Sequence, residues 1–592
     1  MATNIRRLVS IGCVPVLATA LAGCGVGGPS RSTVTSTGPA APRTSNALWG
    51  TYHADLARTG VDPSGASFSP LNQAWVSPQL DGQVYAEPLV WGGLVIVATE
   101  NDTIYALNAG NGSVAWSTHV ATPVPQSSLP CGDINPLGIT GTPAIDPATG
   151  HVFAVAETTV NGSVSHQLVA LDGSTGRVLF QESVDPSGMT PSAQQERGAL
   201  SVSGGRVYIP YGGLYGDCGS YHGWVVSAPT SGPGTLAAYQ VPTAREGGIW
   251  APPGASIDSA GNVWVATGNG SSTSSYDYGN SVLKLSPSLS LVDSFAPSNW
   301  ASDNSSDSDL GSTGPMLLQN GLVFEVGKEQ TGYLLSASHL GGIGGQLFSA
   351  NVCFTIGAEA YRAPDVYVGC DSGIKDVHID ATNPPSFHVA WSGPSGATGP
   401  PIFAGGLVWS VGKSSQTLYG LDPSTGSAVV QQHLNATPAS YSTPAVGDGL
   451  MVVGTGRTIE AFGGPPPTTA KYWMAASDGG VFNFGSAGFY GSAGNVHLAR
   501  PIVGMAPTPD GNGYWLVASD GGIFTFGDAA FQGSAGGLPL ARPVVGMAAD
   551  LVTGGYWLAA SDGGIFTYDA PFAGSAGNLP LAAPVVAIAG KG

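Results

Sequence analysis

The sequence predicts an all-β protein made of many short strands, and three observations support this prediction. Runs of β-branched and aromatic residues alternate with turns of Gly, Asn, Asp and Pro along most of the chain. The chain contains 89 glycines and 45 prolines, a composition that favours turns over helices. Hydrophobic residues reach 42%, which is enough for a folded core and is not typical of a disordered chain.

Residues 87–116 show the unit that most of the chain repeats. A proline-led strand is followed by a Gly-Gly turn, a strand at Leu94–Thr99, a second turn and a strand at Thr103–Leu107. A glycine-containing turn then leads to a last strand that ends on Trp116. The unit therefore predicts a sheet of four antiparallel strands.

The last turn of this unit is a motif that recurs along the chain. The stretch Ala106–Trp116 (ALNAGNGSVAW) returns as Ala170–Phe180 (ALDGSTGRVLF) and as Gly420–Val430 (GLDPSTGSAVV). In each copy an Asn or Asp caps the turn, a Gly takes the left-handed conformation, and a large apolar residue packs on the next sheet. This motif resembles the repeat of the pyrroloquinoline-quinone-type (PQQ-like, quinoprotein-like) β-propellers, and the resemblance covers residues 48–465.

A second marker, a proline that opens the first strand, gives the number of units. These prolines are Pro88, Pro143, Pro252, Pro315, Pro364, Pro401 and Pro444. Proline suits an edge strand because it lacks a backbone donor. A strand at Ala199–Val202 fills the long interval after Pro143, which brings the count to eight. We therefore expect an eight-bladed propeller, with seven blades as the alternative.

The last of these units, Tyr441–Gly463, lacks a fourth strand. The segment Gln73–Leu80 (QAWVSPQL) lies just before the first unit and is suited to supply it. Such an exchange between the two ends of the ring removes open sheet edges, which otherwise promote aggregation.

The N-terminal residues form a targeting segment rather than part of the fold. Two arginines precede a short apolar run, and the sequence LAGC that ends at Cys24 resembles the lipobox of bacterial lipoproteins. The resemblance implies cleavage before Cys24 and lipid attachment to its thiol, with an ordinary secretory signal as the alternative. Residues 1–24 are then the signal peptide and residues 25–47 a flexible tether. We expect an extracytoplasmic protein, lipid-anchored to the bacterial membrane or cell surface.

Four cysteines remain beyond the targeting segment, and an even number outside the cytoplasm favours disulfides. We expect one bond between Cys131 and Cys218, which joins neighbouring units. The other joins Cys353 to Cys370 and closes a hairpin-sized loop. Metal binding is the alternative, but the chain has no Cys-x-x-Cys and no histidine at ligand spacing.

Residues 466–592 repeat with a different period. The dipeptide Tyr-Trp at 472–473 returns at 514–515 and 556–557, every 42 residues. Each copy predicts four strands, with an Asp-Gly-Gly turn, an aromatic strand and a Gly-Ser-Ala-Gly stretch. The repeat resembles one often appended to secreted bacterial proteins. We expect blade-like sheets, with a trefoil-like barrel as the alternative, and tryptophans that pack between repeats rather than stack on glycans.

The net charge of −19, from 38 acidic against 19 basic residues, limits the classes of partner. A nucleic-acid-binding protein needs a basic surface and none is visible, so we expect no nucleic-acid partner. The acidity instead keeps a large β surface soluble. We expect a monomer that contacts the membrane only through its lipid anchor.

The resemblance to the quinoprotein dehydrogenases implies candidate cofactor residues. Those enzymes hold PQQ over a calcium ion at the propeller axis, with an Asn after Thr-Gly and a carboxylate among the ligands. Trp250 in GIWAP, Asn269 in ATGNG and Lys328 in the GK before GYL match stretches that contact the cofactor. Asp309 ends an Asp-rich loop, residues 300–309, at the place of the catalytic Asp. The resemblance thus assigns Trp250, Asn269 and Lys328 to PQQ, and Asn269 and Asp309 to calcium.

The chain departs from that family at a point that bears on activity. No two cysteines are adjacent, whereas the dehydrogenases place a disulfide of adjacent cysteines against the quinone. The alternative is that Asn269 forms a turn, that residues 300–309 are a solvated loop, and that no cofactor binds. No residue is therefore assigned a catalytic role, and the sequence favours a protein that is not an enzyme.

Residues just before each first strand are expected to ring one mouth of the central channel. They are Glu87, Thr142, Arg197, Trp250, Thr313, Arg362, Thr398 and Ser442. An acid, two arginines and a tryptophan suit a small ligand or a peptide. The alternative is that these side chains bond to one another and to trapped water.

These observations favour a lipid-anchored binding or scaffold protein. In architecture it resembles the non-catalytic members of the class, such as the propeller lipoprotein of outer-membrane protein assembly. The alternative is a calcium- and PQQ-dependent dehydrogenase of alcohols or sugars, implied by Asn269, Lys328 and the Asp-rich loop. Binding of cell-surface glycans through residues 466–592 is a further alternative.

Overall fold

The computed structural model describes residues 49–463, 472–484, 487–509 and 511–590. The described residues fall into two compact units, one within residues 37–465 and the other within residues 466–592. The expected signal peptide, lipid attachment at Cys24 and tether over 25–47 lie outside the described residues. None of the helices in the described ranges is long and apolar enough to cross a bilayer.

The regular secondary structure of the described residues is almost entirely β-strand, which confirms the all-β prediction. Its one α-helix is α1 (Trp300–Ser306). Short 3-10 helices occur at Gln126–Ser128, Pro191–Ala193, Leu310–Ser312 and Gln319–Gly321.

Residues 49–463 are described without interruption and contain 34 strands. In chain order they are β1 (Asn72–Val76), β2 (Leu89–Trp91), β3 (Leu94–Ala98), β4 (Thr103–Asn108), β5 (Val114–His119), β6 (Ala144–Ile145), β7 (His151–Val160), β8 (Ser163–Asp172), β9 (Val178–Ser183), β10 (Gln194–Gln195), β11 (Ser201–Ser203), β12 (Arg206–Gly213), β13 (Trp224–Pro229), β14 (Ala237–Gln240), β15 (Ser256–Ile257), β16 (Val263–Ala266), β17 (Val282–Leu285), β18 (Leu291–Ala296), β19 (Met316–Leu317), β20 (Leu322–Val326), β21 (Thr331–Ser336), β22 (Gly342–Ile343), β23 (Phe348–Asn351), β24 (Thr355–Arg362), β25 (Asp365–Cys370), β26 (Gly373–Asp380), β27 (Ser386–Ser392), β28 (Ile402–Ala404), β29 (Leu407–Gly412), β30 (Thr417–Leu421), β31 (Ala428–His433), β32 (Ala445–Gly447), β33 (Leu450–Thr455) and β34 (Thr458–Gly463).

Within residues 49–463 these strands form eight mainly antiparallel sheets. The first seven sheets are β2–β5, β6–β9, β10–β14, β15–β18 with β22, β19–β21 with β23, β24–β27, and β28–β31. The eighth sheet joins β32, β33 and β34 to β1 from the start of the unit. The first strand of a sheet lies at one of its edges, so each sheet presents an inner edge that is not paired within the sheet.

Strand β1 supplies the fourth strand of the eighth sheet. It pairs antiparallel with β34, so that Asn72 lies opposite Gly463 and Val76 opposite Glu460. The predicted strand exchange is therefore present, although the regular strand ends at Val76. Ser77 and Leu80 continue the pairing through backbone bonds to Ile459 (2.9 Å) and Arg457 (2.8 Å).

Consecutive sheets pack face to face through shared hydrophobic clusters. One cluster joins Leu89 and Ile96 of the first sheet to Ile145 and Val152 of the second, and equivalent clusters join each later sheet to the next. The largest cluster links the seventh, eighth and first sheets together. The sheets therefore pack in a cyclic order, with the eighth on the first.

A tryptophan lying on a glycine recurs at three of these junctions. The pairs are Trp75 with Gly112, Trp116 with Gly176, and Trp391 with Gly426. Each glycine has φ of +71° or +72°, and a Cβ built there would lie 2.4 Å from the indole ring. Each indole Nε1 donates to the backbone oxygen three residues before the glycine, at 2.7–3.1 Å. The glycine of the recurring motif is thus required both by its conformation and by the ring that lies on it.

Residues 49–62 run along the inner edges of the sheets. Backbone oxygens of this segment accept from the first strands of the first, second, fourth, sixth and seventh sheets, at 2.7–3.0 Å. The buried Arg58 donates to Leu200 and Ser201 of the third sheet, and the Tyr52 hydroxyl bonds to Thr443 beside the eighth. The segment therefore satisfies backbone groups that would otherwise be unpaired in the centre of the unit.

Both predicted disulfides are present, which confirms their pairing. The bond Cys131–Cys218 joins residues 87 positions apart, and Cys353–Cys370 joins residues 17 apart. The second bond lies between the sixth sheet and the residues just before it. The first joins the segment between β5 and β6 to the loop between β12 and β13.

The second unit contains eight strands among its described residues. They are β35 (Tyr472–Ala475), β36 (Val481–Phe484), β37 (Ile502–Pro507), β38 (Gly513–Ala518), β39 (Ile523–Gly527), β40 (Val544–Ala549), β41 (Tyr556–Ala560) and β42 (Ile565–Tyr568). They form sheets of two, three and three strands, so the predicted four strands per repeat are wrong for the described residues. The reason is that the apolar strand at the end of one repeat pairs with the Tyr-Trp strand of the next, and the Gly-Ser-Ala-Gly stretch forms no strand.

The glycine beneath Trp75 allows a direct test of the junction that closes the first unit. We expect Gly112→Ala to destabilise the protein by about 1–3 kcal/mol more than Gly93→Ala, because the new methyl group overlaps the indole ring. Gly93 is the matched control, since it also has positive φ (+79°) but no heavy atom lies within 4 Å of a built Cβ. Calorimetric unfolding of the full chain measures both changes. Equal losses for the two variants would show that the ring does not rest on Gly112.

Candidate functional site

A cavity of about 610 Å³ lies where loops from several sheets of the first unit meet. Four of the predicted mouth residues line it, namely Glu87, Thr142, Arg197 and Trp250. The residues that the sequence suggested for a cofactor or a metal, Asn269, Asp309 and Lys328, also line it. Residues that are far apart in the sequence therefore meet in one place.

Thr313 and Arg362, two of the predicted mouth residues, are not among the residues that line this cavity. The buried Thr313 hydroxyl donates to the Glu325 carboxylate at 2.9 Å. The Arg362 guanidinium lies 4.5 Å from the centroid of the Phe403 ring. Thr398 and Ser442 also lie outside the lining.

The position predicted for Arg362 depends on Pro364 opening the first strand of its unit. The structure places this proline in the turn between β24 and β25, so the first strand of the sixth sheet is β24. Arg362 ends that strand rather than preceding it. Ile356, near the start of β24, lines the cavity in its place.

Trp250 lies in the cavity lining with two cations near its ring. The Arg197 guanidinium lies 6.0 Å from the indole centroid, and the Lys328 ammonium lies 5.4 Å from it. These distances are within the range of cation–π attraction. Two glycines give the Trp250 side chain its space. A Cβ built on Gly212 would lie 2.6 Å from the Trp250 Cβ, and a Cβ built on Gly268 would lie 3.0 Å from the Trp250 Nε1.

Asp309 connects Asn269 to Lys328. Its Oδ1 accepts the backbone N–H of Asn269 at 2.6 Å, and its Oδ2 lies 2.5 Å from the Lys328 ammonium. Lys328 also reaches the exposed Asp307 at 3.3 Å. The alternative of a solvated loop is therefore wrong for Asp309, which is 2% exposed and follows α1 and a short turn.

The charges of this pair stabilise one another. Burial raises the pKa of the Asp309 carboxyl, and the Lys328 ammonium opposes that rise. Burial tends to lower the pKa of Lys328, but Asp309 and Asp307 raise it above its usual value. Lys328 therefore carries a positive charge at neutral pH and is partly neutralised by Asp309.

Arg197 differs from Lys328 because no carboxylate of the described residues lies within ion-pair distance of its guanidinium. Its guanidinium lies beside Trp250 in the cavity lining. The site thus combines a flat aromatic surface with a cation that is available to a ligand.

The side chains present do not fit the calcium ion that the fold class implies. Calcium takes six to eight oxygen ligands, usually with several carboxylates. The described residues contain no group of three or more His, Cys, Asp and Glu side chains that could hold a metal ion. Both oxygens of Asp309 already have partners, and the ammonium group of Lys328 would repel a second cation at that position. The assignment of Asn269 and Asp309 to calcium is therefore corrected.

Glu87 belongs to the wall that residues 49–62 form. Its Oε1 accepts from the Trp49 indole and from the His53 backbone N–H, while its backbone N–H donates to Thr142 at 2.9 Å. Burial raises the pKa of Glu87 to about 8, although the two donors favour the charged form. This acid therefore holds its proton through most of the neutral range.

The sequence did not indicate the aromatic wall of the cavity. This wall consists of Tyr52, Tyr85, Tyr215, Tyr221 and Tyr441. These tyrosines lie in irregular segments between the repeated strands, where the repeat pattern gives no signal. Only the positions of Tyr85 and Tyr441, close to the starts of the first and eighth units, were open to prediction.

Comparison with known proteins relates one part of the chain to a family. Residues 73–214 match the family model described as outer membrane protein assembly factor BamB. The BamB protein of Nitrosomonas eutropha is 30% identical over 144 residues, which are 24% of this chain and 28% of that protein. The chain thus matches less than a third of that relative's length.

Comparison of structures extends the likeness to most of the chain. The quinohemoprotein alcohol dehydrogenase of Comamonas testosteroni superposes with a TM-score of 0.54 and 14% identity, over 74% of this chain and 83% of that one. A europium-containing methanol dehydrogenase gives a TM-score of 0.51 and 17% identity, over 69% of this chain and 90% of that one. At these identities the likeness concerns the fold alone. The fold is that of a PQQ-like β-propeller-type protein, which confirms the family resemblance found in the sequence.

Four buried acids of the first unit predict how its stability depends on pH. Burial raises the pKa of Glu87, Glu100 and Glu359 to about 8 and that of Asp102 to about 9. The folded state therefore holds protons that the unfolded chain releases. Stability must fall as pH rises from about 6.5 to 9, by on the order of 2 kcal/mol for a single such group.

Thermal unfolding of the full chain across this pH range measures the effect. Glu87→Gln should reduce the decline, because the amide cannot ionise and keeps an oxygen for the Trp49 and His53 donors. Asp448→Asn, at an exposed turn, is the control and should leave the decline unchanged. A wild-type protein that becomes more stable between pH 6.5 and 9 would contradict the burial of these acids.

Proposed function

We propose that this protein is an extracytoplasmic, lipid-anchored β-propeller that binds an anionic ligand in its axial cavity and acts as a scaffold in the bacterial envelope. The match of residues 73–214 to an outer membrane protein assembly factor supports an envelope role. The lipobox-like sequence ending at Cys24 supports the anchor. No chemical step is assigned to the chain itself in this proposal.

In this proposal residues 48–465 form a single closed propeller of eight blades. The support comes from the eight sheets of residues 49–463, from their cyclic packing, and from the pairing of β1 with β34. Residues 466–592 form a separate array of repeats. The axial cavity then opens at the end of the ring where the residues preceding the first strands meet.

One observation carries the binding role, namely that Arg197 is a cation beside the face of Trp250 with no carboxylate of the described residues within ion-pair distance. A guanidinium binds a carboxylate through two parallel hydrogen bonds, and the indole offers a surface for a flat group. The tyrosine wall adds further aromatic surface and hydroxyl groups. The arrangement suits a small ligand, or a side chain of a partner, that joins a carboxylate to a flat apolar group.

A binding measurement with a simple aromatic dicarboxylate, isophthalate, tests this role. We expect it to quench tryptophan fluorescence of the full chain, and we expect Arg197→Gln to weaken binding about tenfold or more, because a charged hydrogen bond contributes about 1.5–3 kcal/mol. Arg362→Gln is the matched control, since that arginine packs on Phe403 outside the cavity. Equal affinity of the two variants would exclude Arg197 as the anion-binding group.

Membrane attachment is tested separately at the lipobox. We expect Cys24→Ala to move the protein from the membrane fraction to the soluble fraction of cells, because the variant lacks the thiol that would carry the lipid. Phase partition in a detergent and mass measurement of the N-terminal peptide provide the readouts. A Cys24→Ala protein that stays in the membrane fraction, or a wild-type peptide without lipid mass, would contradict the anchor.

A PQQ-dependent dehydrogenase is the second candidate, and one observation favours it. Trp250, Asn269, Asp309 and Lys328, which match the cofactor stretches of those enzymes, converge in one cavity. The absence of a fitting calcium site among the described residues weighs against it. Adding PQQ with calcium to the full chain distinguishes the two, since stoichiometric quinone binding with dye-linked alcohol oxidation would overturn the non-catalytic proposal.

A further inference from the structure

The repeats of the second unit meet through a junction that occurs twice with the same contacts. The Trp473 ring packs against Tyr514 of the next repeat at 5.8 Å, and the Trp515 ring packs against Tyr556 at 5.4 Å. In each case the tyrosine hydroxyl donates to a glycine backbone oxygen of the preceding repeat, at 2.6 and 2.7 Å. The recurring tryptophans thus serve packing between repeats.

A glycine of the preceding repeat completes each junction. Gly491 and Gly533 have φ of +135° and +141°, and a Cβ on them would lie 2.6 Å and 2.4 Å from the aromatic rings of Phe526 and Tyr568. We call the side of a repeat that contacts the preceding repeat its leading side, and the side that contacts the next repeat its trailing side. The leading side contributes aromatic rings, and the trailing side contributes a tryptophan and a glycine against which a ring packs. Each internal junction joins one leading side to one trailing side.

The first repeat has a leading side with no neighbour among the described residues. Strand β35 pairs there only with β36. Tyr472 and Met474 are each 51% exposed, whereas their counterparts Tyr514 and Leu516 are fully buried. Phe482 and Phe484 are also exposed on this side, at 55% and 37%. We call this surface the leading face.

The third repeat has the complementary surface, also without a neighbour in the described chain. Gly574 has φ of +127°, and no heavy atom lies within 4 Å of a built Cβ, in contrast to Gly491 and Gly533. The Trp557 indole donates to Pro571 at 2.8 Å, which matches the orientation of Trp473 and Trp515. Leu581 is 40% exposed, while its counterpart Leu540 packs against the internal junction. We call this surface the trailing face.

We propose that the second unit is a self-association module, in which the leading face of one copy of this chain binds the trailing face of another. Tyr472 of one copy then lies against Trp557 of the other, and its hydroxyl donates to the Gly574 backbone oxygen. Phe484 occupies the space above Gly574. This contact reproduces the junction that the chain already forms twice internally.

A second copy is the occupant that the observations favour, because both halves of the junction are present on every chain. The two faces are different surfaces, so the contact is head-to-tail and leads to open chains or closed rings rather than a symmetric dimer. The trailing face has the backbone shape of the internal junctions before any partner binds, which reduces the cost of association. This proposal replaces the monomer expected from the sequence and does not depend on the axial cavity.

Complementation between two face variants provides the test. The full chain with Cys24→Ala is the starting protein, and its mass is followed by light scattering over a range of concentrations. Met474→Asp places a charge on the leading face, and Leu581→Asp places one on the trailing face. Val552→Asp is the control, because Val552 is 84% exposed in the turn between β40 and β41, outside both faces.

We expect the starting protein and the Val552→Asp control to form oligomers that grow with concentration, and each face variant to remain a single chain. An equimolar mixture of the two face variants should form a one-to-one dimer, because each retains the face that the other lacks. Unfolding temperatures like that of the starting protein would show that the variants are folded. A starting protein that stays a single chain, oligomers that persist in both face variants, or a mixture without dimers would overturn the proposal.

Discussion

Hydrogen bonding along the inner edges of the sheets is the constraint on which the first unit depends. A ring of sheets presents the unpaired edge of every first strand to its own centre, where solvent access is limited. Residues 49–62 supply backbone partners to five of these strands, and the buried side chains of Arg58 and Tyr52 reach two more sheets. The same segment forms one wall of the cavity and holds Glu87. The candidate site therefore has its observed shape because the unpaired backbone groups of the first strands need hydrogen-bond partners at the centre of the ring.

Both units use an aromatic ring that lies on a glycine to join one sheet to the next. In the first unit the ring is an indole such as Trp116 above Gly176, and in the second it is Phe526 beside Gly491. A glycine lets the ring approach the backbone and fixes the spacing of neighbouring sheets. The difference between the units is closure. The first array returns to its start through β1, whereas the described part of the second ends in two faces without neighbours.

Local patterns made much of the fold predictable. The turn motif around Gly112, the strand-opening prolines and the even number of cysteines each depend on short-range chemistry, so the all-β fold and both disulfides followed from the sequence. Strand β1 was predictable because the last unit lacked a strand. The prediction that Pro364 opens a first strand is wrong, because a proline suits a turn as well as a strand start.

The features that the sequence did not reveal depend on contacts between distant residues. Residues 49–62 carry no repeat signal, since their structure is set by edges that the chain forms much later. The resemblance in the sequence predicted that Asn269, Asp309 and Lys328 lie near one another. It gave no sign that Lys328 forms an ion pair with the Asp309 carboxylate. That pairing, which occupies the carboxylate expected to bind calcium, depends on a distance of a few ångströms that no spacing pattern contains.

The late partner of β1 has a consequence for how the protein is made. Gln73 meets Glu460, a residue 387 positions further on, so the ring stays open until almost the whole first unit has been synthesised. At 5–20 residues per second, the ribosome needs roughly 20 to 80 seconds to cover that interval. During this time Trp75 and the early sheets lack their final neighbours, and their unpaired strand edges can aggregate with other nascent chains. A cell that produces this protein therefore benefits from shielding the early half of the chain, by chaperones or by export before folding, until its last strand arrives.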